Sequence, residues 1–285
     1  MVTEQTRNWT LTISCDDRPG IVHTVTGACI AAGGNVTELQ QYSSPDTGRF
    51  FMRLQLDSAL GRVNIEAALR PTMDALAATW DLDVTERRTR TLVLASKAGH
   101  CVNDLLFRQR TGYLPIDVEM VLANHPDLAH LAAFNGVEFD SQQVTPETKA
   151  DFEARVLRIV EERDIELVVL ARYMQILSPE LCAALAGRAI NIHHSFLPGF
   201  KGANPYRQAH ARGVKLIGAT AHFVTSDLDE GPIIEQNVVR VDHSRTPEQL
   251  MAIGQDAECR TLTEAVKLFA ERRVFLDGHR TVIFN

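Results

Sequence analysis

Leu167-Val168-Val169-Leu170-Ala171-Arg172-Tyr173-Met174-Gln175-Ile176-Leu177 decides how the larger part of this chain folds. Its first five residues are apolar and stop at an arginine, as expected of a strand buried on both faces of a parallel sheet. A helical pattern over about 147–163 precedes it, and Ala189-Ile190-Asn191-Ile192-His193 follows as another strand. Upstream, Leu92-Val93-Leu94-Ala95-Ser96 reads as a strand, 100–110 as a helix and 118–122 as a strand. Strands separated by helices predict an α/β, doubly wound, mostly parallel sheet. In such sheets ligands bind beyond the carboxyl ends of the strands.

The preceding segment has a different rhythm. Trp9-Thr10-Leu11-Thr12-Ile13-Ser14 alternates apolar and polar, which predicts a half-buried strand. Asp16-Asp17-Arg18-Pro19-Gly20 then turns the chain into an apolar-rich helix over 21–32, closed by Gly33-Gly34. Strand-like runs at 36–42 and 49–57 flank Pro45-Asp46-Thr47-Gly48, a hairpin signal. A helix over 63–79 and a strand over 80–87 complete a βαββαβ unit. The polar run Thr85-Glu86-Arg87-Arg88-Thr89-Arg90 predicts a linker, dividing the chain into domains 1–88 and 89–285.

Composition excludes several functions. The 285 residues carry 29 Lys plus Arg against 36 Asp plus Glu, a net charge of −7. Without a basic cluster the chain is a poor partner for nucleic acid or an anionic membrane. No apolar run approaches the roughly 20 residues of a membrane span. The polar start, with Glu4 and Arg7, does not read as a secretory signal. Five scattered cysteines without C-x-x-C spacing read as reduced thiols of a cytoplasmic protein. Nine of the ten histidines follow residue 88, so proton-handling chemistry is expected in the larger domain.

That chemistry concentrates in Asn191-Ile192-His193-His194-Ser195-Phe196-Leu197-Pro198-Gly199-Phe200. Residues i and i+2 of a strand share a face, so Asn191 and His193 point one way. An amide donor beside an imidazole suits a developing oxyanion. The competing reading is a structural histidine satisfied by its neighbours. A metal centre is not expected, because His193 and His194 should project to opposite faces and no HExxH spacing occurs. A second stretch runs from Gly218 through His222-Phe223-Val224-Thr225-Ser226-Asp227-Leu228-Asp229-Glu230 to Gly231-Pro232. Taken alone, its acidic residues read as surface charges.

Taken together, Asn191-x-His193, His222-Phe223-Val224 and Asp229-x-Gly231-Pro232-Ile233-Ile234 resemble the folate-dependent formyltransferase fold. The resemblance implies catalytic roles for Asn191, His193 and Asp229. It also implies a folate pocket from Met174, Gln175, Ile176 and Leu177 with His222, Val224, Thr225, Ser226 and Asp227. His222 would either support Asp229 or be a packed strand histidine. The sequence departs from glycinamide ribonucleotide formyltransferases after the first strand of that domain. Ser96-Lys97-Ala98-Gly99-His100-Cys101 holds one glycine, too few for a phosphate-cradling loop.

The βαββαβ unit, with Asp17-Arg18-Pro19-Gly20-Ile21-Val22 after its first strand, resembles the ferredoxin-like ACT domain. That resemblance implies an amino-acid effector near Asp16, Gly20 and Asn35 at an interface between two copies, hence a homo-oligomer, dimer or tetramer. The alternative is a unit that only makes subunit contacts. Both halves together, with His193-His194-Ser195-Phe196-Leu197-Pro198 and Lys201-Gly202-Ala203-Asn204-Pro205-Tyr206, resemble the formyltetrahydrofolate deformylase family. This implies hydrolysis of 10-formyltetrahydrofolate with no further cofactor. Asp229 would orient and deprotonate water, directly or with His193, while Asn191 and His193 donate to the oxyanion. Two rival functions are formyl transfer to an unidentified amine and a non-catalytic amino-acid or folate sensor.

Overall fold

The computed structural model describes residues 6–85, 87–197 and 205–285. The chain forms two compact units, Met1–Arg87 with Glu271–Asn285, and Arg88–Ala270. The first begins with β1 (Arg7–Asp16), α1 (Ile21–Ala31), β2 (Asn35–Ser43), β3 (Arg49–Ser58), α2 (Arg62–Ala75) and β4 (Thr79–Val84). Its strands form one antiparallel sheet in the order β2-β3-β1-β4. The alternation read along β1 buries Trp9, Leu11, Ile13 and Cys15 together. Ile65, Leu69 and Met73 of α2, four residues apart and thus on one helix face, join Val25 and Cys29 of α1 in that core. The second helix ends at Ala75 rather than near 79, because Ala77 turns into the left-handed region with φ 48°.

The second unit runs β5 (Thr89–Ala95), α3 (His100–Arg110), β6 (Ile116–Ala123), α4 (Ala129–Phe134), β7 (Glu138–Ser141), α5 (Lys149–Glu162) and β8 (Leu167–Ala171). It continues through α6 (Pro179–Ala184), β9 (Ala189–His193), α7 (Pro205–Ala211), β10 (Leu216–Phe223), β11 (Ile233–Arg240) and α8 (Pro247–Ala270). Its sheet has the order β11-β10-β9-β8-β5-β6-β7. Strands β9 to β7 are parallel, and β10 is antiparallel to both its neighbours. All five residues of β8 are buried, as its uninterrupted apolar run predicted. The chain moves outward from β5 in both directions, so the crevice between β5 and β8 is a topological switch point.

One expectation is corrected. The last residues do not belong with the second unit. Glu271–Asn285 folds onto the first through β12 (Val274–Asp277) and β13 (Arg280–Ile283). Phe275 packs edge-on against Phe51, with ring centroids 5.7 Å apart. Asp277 is buried and accepts hydrogen bonds from Ser44 Oγ at 2.7 Å and Thr47 Oγ1 at 2.5 Å. Arg53, also buried, donates to the Glu271 carbonyl and to Glu38. The expected linker is also shorter than read, because β5 already starts at Thr89; Glu86 lies outside the described residues.

Candidate active site

Strands β9 and β10 build the floor of the site. Their antiparallel register sets His222 opposite Asn191 and Thr220 opposite His193, which puts all four side chains on one face of the sheet. Asn191 Nδ2 lies 3.3 Å from His222 Nε2. The other His222 nitrogen, Nδ1, is 2.9 Å from the Phe223 carbonyl, an acceptor, so Nδ1 carries the proton and Nε2 can accept from Asn191. The loop after β10 brings Asp229 back over this floor. Its Oδ2 is 3.2 Å from His193 Nδ1, and its Oδ1 is 3.7 Å from His222 Nε2.

Two backbone features fix that loop. Asp229 itself has φ 58°, a left-handed conformation uncommon outside glycine and one that aspartate tolerates better than most residues. Gly231 approaches β10 so closely that a Cβ there would lie 1.7 Å from the Phe223 carbonyl oxygen. Glycine is therefore required, and it lets the loop close tightly enough for Asp229 to reach His193.

The electrostatics follow from this geometry. The hydrogen bond from His193, the largest influence on it, holds the Asp229 carboxyl well below the usual carboxylate range against the opposing effect of burial. An ionised Asp229 fixes the His193 tautomer with the proton on Nδ1. His193 Nε2 is then a buried lone-pair acceptor without a hydrogen-bond partner among the described residues. His194 departs from expectation. Its ring does not go to the opposite face but stacks on His193, with centroids 4.8 Å apart, because β9 ends at His193 and the chain bends. Burial first, then the charges of Arg172 and His193, push His194 down to about 4, so it is neutral at physiological pH.

Asn191, His193 and Asp229 open into a cavity of about 680 Å³. It is also lined by Met174, Gln175, Ile176, Leu177, His222, Val224, Thr225, Ser226 and Asp227, so every residue assigned to the folate pocket is gathered there. Met174, Ile176 and Leu228 keep more than half of their surface exposed, giving the cavity an apolar rim of the kind that covers a flat aromatic ligand. The rest of the Lys201–Tyr206 motif lies outside the described residues, as do Pro198, Gly199 and Phe200; only its end, on α7, is described.

Sequence reading missed a further group of residues lining this cavity. There Glu258 of α8 is buried, 1% exposed, with Oε2 2.7 Å from His100 Nε2 and Oε1 accepting from Tyr206 Oη at 2.6 Å. Arg172 Nε is 3.4 Å from Oε2. The available signal was an acid on the buried stripe Leu250, Gly254, Ala257, Glu258, Thr261, Leu262. His100, Cys101 and Glu258 place three potential metal-ligating atoms within 4.8 Å of one another. The Glu258 oxygens already hold His100 and Tyr206, and the neighbouring Arg172 guanidinium opposes a cation, so this set does not fit a metal.

The effector residues are not assembled within one chain. Asp16 pairs with Arg49 at one end of β3, and Asn35 pairs with Asp57 at the other. At about 3.3 Å per residue these lie on the order of 25 Å apart. Gly20, with φ 91°, stands directly before α1.

A doubly wound sheet with an Asn–His–Asp site at its strand ends, joined to a βαββαβ unit, defines the class as an ACT-bearing formyltransferase-fold enzyme. The formyl transferase family model matches residues 89–266, and the ACT domain model matches residues 9–69. The chain is 48% identical over 290 aligned positions to the formyltetrahydrofolate deformylase of Corynebacterium sp. (strain P-1), covering 100% of each. It superposes on the crystal structure of formyltetrahydrofolate deformylase from Burkholderia mallei with TM-score 0.95 at 51% identity, over 98% of this chain and 100% of that one. The corresponding structure from Pseudomonas putida gives TM-score 0.93 at 46% identity, over 97% and 100%. The chain belongs to the formyltetrahydrofolate deformylase family, a family of hydrolases.

Proposed function

We propose that this chain hydrolyses 10-formyltetrahydrofolate to formate and tetrahydrofolate, with Asn191, His193 and Asp229 as its catalytic residues. The observation that carries the reading is the Asp229–His193 pair at 3.2 Å, beside Asn191 on the floor of a cavity with an apolar rim. The pterin lies against Met174–Leu177 and Val224–Asp227. His193 Nε2 takes a proton from water as the oxygen attacks the formyl carbon. The second N–H of the Asn191 amide and the resulting imidazolium then donate to the oxyanion. Breakage of the C–N10 bond returns the proton from His193 to N10.

Of the two expected routes, proton transfer to Asp229 directly or together with His193, the low carboxyl pKa favours the second. A carboxylate so weakly basic is a poor proton acceptor from water, since efficient bases titrate near the working pH. Asp229 instead orients His193 and stabilises its charged form, as the aspartate of a serine-protease triad does. The substrate brings the reactive formyl group itself, and no further cofactor enters the reaction. Formate released this way would supply purine synthesis and balance the one-carbon folate pools.

The deciding experiment is formate release from 10-formyltetrahydrofolate with no amine present. Turnover is expected. Formyl loss only after addition of an amine acceptor would instead make the chain a transferase.

The match to the ACT domain supports an amino-acid effector at a site shared by two copies, with Asp16 and Gly20 of one protomer and Asn35 of another, and hence a dimer or tetramer. Titrating glycine and methionine into the same assay should change the rate. No response to any amino acid would leave this unit as a subunit contact. Among the described residues no helix is long and apolar enough to cross a membrane, and the five free thiols suit a reducing, cytoplasmic location.

A further inference from the structure

We propose that Glu258 is an internal anion which, with His100, Tyr206 and Arg172, fills the acceptor end of the reaction cavity and so turns away amine acceptors that carry an anion. The inference deepens the hydrolase reading above and rests on it.

Three groups converge on the Glu258 carboxylate. His100 Nε2, from the first residue of α3, is at 2.7 Å, Tyr206 Oη at 2.6 Å and Arg172 Nε at 3.4 Å. Each element is shaped for this. Gly254 lies one turn before Glu258 on α8, and a Cβ there would fall 2.1 Å from Tyr206 Oη, so only glycine admits the tyrosine. Arg172 leaves β8 with φ 61°, a conformation few non-glycine residues adopt. A guanidinium, an imidazole and a phenol around one point make a receptor for a carboxylate or phosphate. Here a side chain of the protein already occupies it. Desolvation opposes ionising Glu258, but His100, Arg172 and Tyr206 outweigh it and keep its carboxyl below the ordinary value.

The location matters as much as the charge. The folate-side loops, Met174–Leu177 and Val224–Asp229, and the Glu258 group line the same cavity. His194 is sensitive to both, since Arg172, His193, Glu258 and Asp229 all act on its ring. With the pterin against the two loops, we place the nucleophile on the side of the Glu258 group.

Two outcomes balance chemically there. Water forms a C–O bond while the C–N10 bond breaks and N10 takes the proton, giving formate. An amine forms a C–N bond while C–N10 breaks and N10 takes the proton the amine loses, giving a formamide. An amine that also carries an anion would need the donors Glu258 holds, and Glu258 would repel it.

The test offers 10-formyltetrahydrofolate to the full-length enzyme with excess glycine or glycinamide, two amines that differ by one carboxylate. Formate, N-formylglycine and N-formylglycinamide are quantified by mass spectrometry. Wild type is expected to give formate almost alone. Glu258→Gln, which frees Arg172 for an external carboxylate, is expected to raise the N-formylglycine to N-formylglycinamide ratio about tenfold. Tyr206→Phe, which loosens the same carboxylate without removing its charge, should move that ratio the same way by less. Wild-type ratios in both variants would overturn the proposal, and if Glu258→Gln does not fold, a wild-type ratio in Tyr206→Phe is sufficient to do so. Failure of the underlying reading is distinct: the wild-type enzyme itself would release no formate when amine is omitted.

Discussion

Asp229 carries the sharpest consequences at the scale of single residues. Replacing it with Ala removes the anion that orients His193, and formate release is expected to fall by about 10²–10⁴, while far-UV circular dichroism stays that of wild type. Asn191→Ala removes one oxyanion donor, and its kcat should drop by about 10²–10³. A loss below about tenfold would show that Asn191 does not serve the oxyanion. Asp229 also links the site to stability. Its folded pKa is lowered, so its contribution is complete above the unfolded carboxylate value of about 3.9 and declines as the pH falls below it. In urea titrations the stability gap between wild type and Asp229→Asn should therefore hold steady above about pH 5 and shrink below about pH 4. Asn191, His193 and Asp229 were legible in the sequence because period-two spacing and a family pattern mark them. Glu258, His100 and Arg172 were not. A lone charge at the start or interior of a helix, or just past a strand, looks the same whether it faces solvent or a buried partner.

The loop between β10 and β11 shows how an element's geometry becomes chemistry. Gly231 permits a contact that no side chain could tolerate, and that contact fixes where Asp229 falls. Gly231→Ala must push the loop off β10. Overpacking of this kind costs about 1–3 kcal/mol, and here kcat should fall together with Tm in thermal melts. A variant that lost stability with full kcat would separate the loop's position from catalysis. The strands themselves were readable from their patterns, notably β1 by alternation and β8 by its continuous apolar run. Strand β7 and the antiparallel pairing of β10 were not, since four polar-alternating residues resemble a loop and pairing direction leaves no trace in composition.

At the scale of the whole molecule, the chain's last segment completes its first unit rather than its second. Deleting Glu271–Asn285 should strip Phe51 and Arg53 of Phe275 and the Glu271 carbonyl, and calorimetry should show an earlier melting transition for the Met1–Arg87 unit. A milder probe is Asp277→Ala. It leaves two hydroxyls without their carboxylate, at a cost of about 1–3 kcal/mol. An unchanged melting profile for both would mean the hairpin is only adjacent to that unit. Local pattern by itself determined the two fold types, their border near residue 88 and the shared strand face of Asn191 and His193, because periodicity and turn chemistry act between near neighbours in sequence; Asp229 stood out only through the family resemblance. Only the tertiary structure decided that the final hairpin returns to the first unit, that His194 stacks on His193, and that Glu258 meets His100 across 158 positions of chain. The first and last of these join residues far apart in sequence, selected by burial and hydrogen bonding only once the sheet has brought them together, and the stacking follows from the bend of the chain where β9 ends.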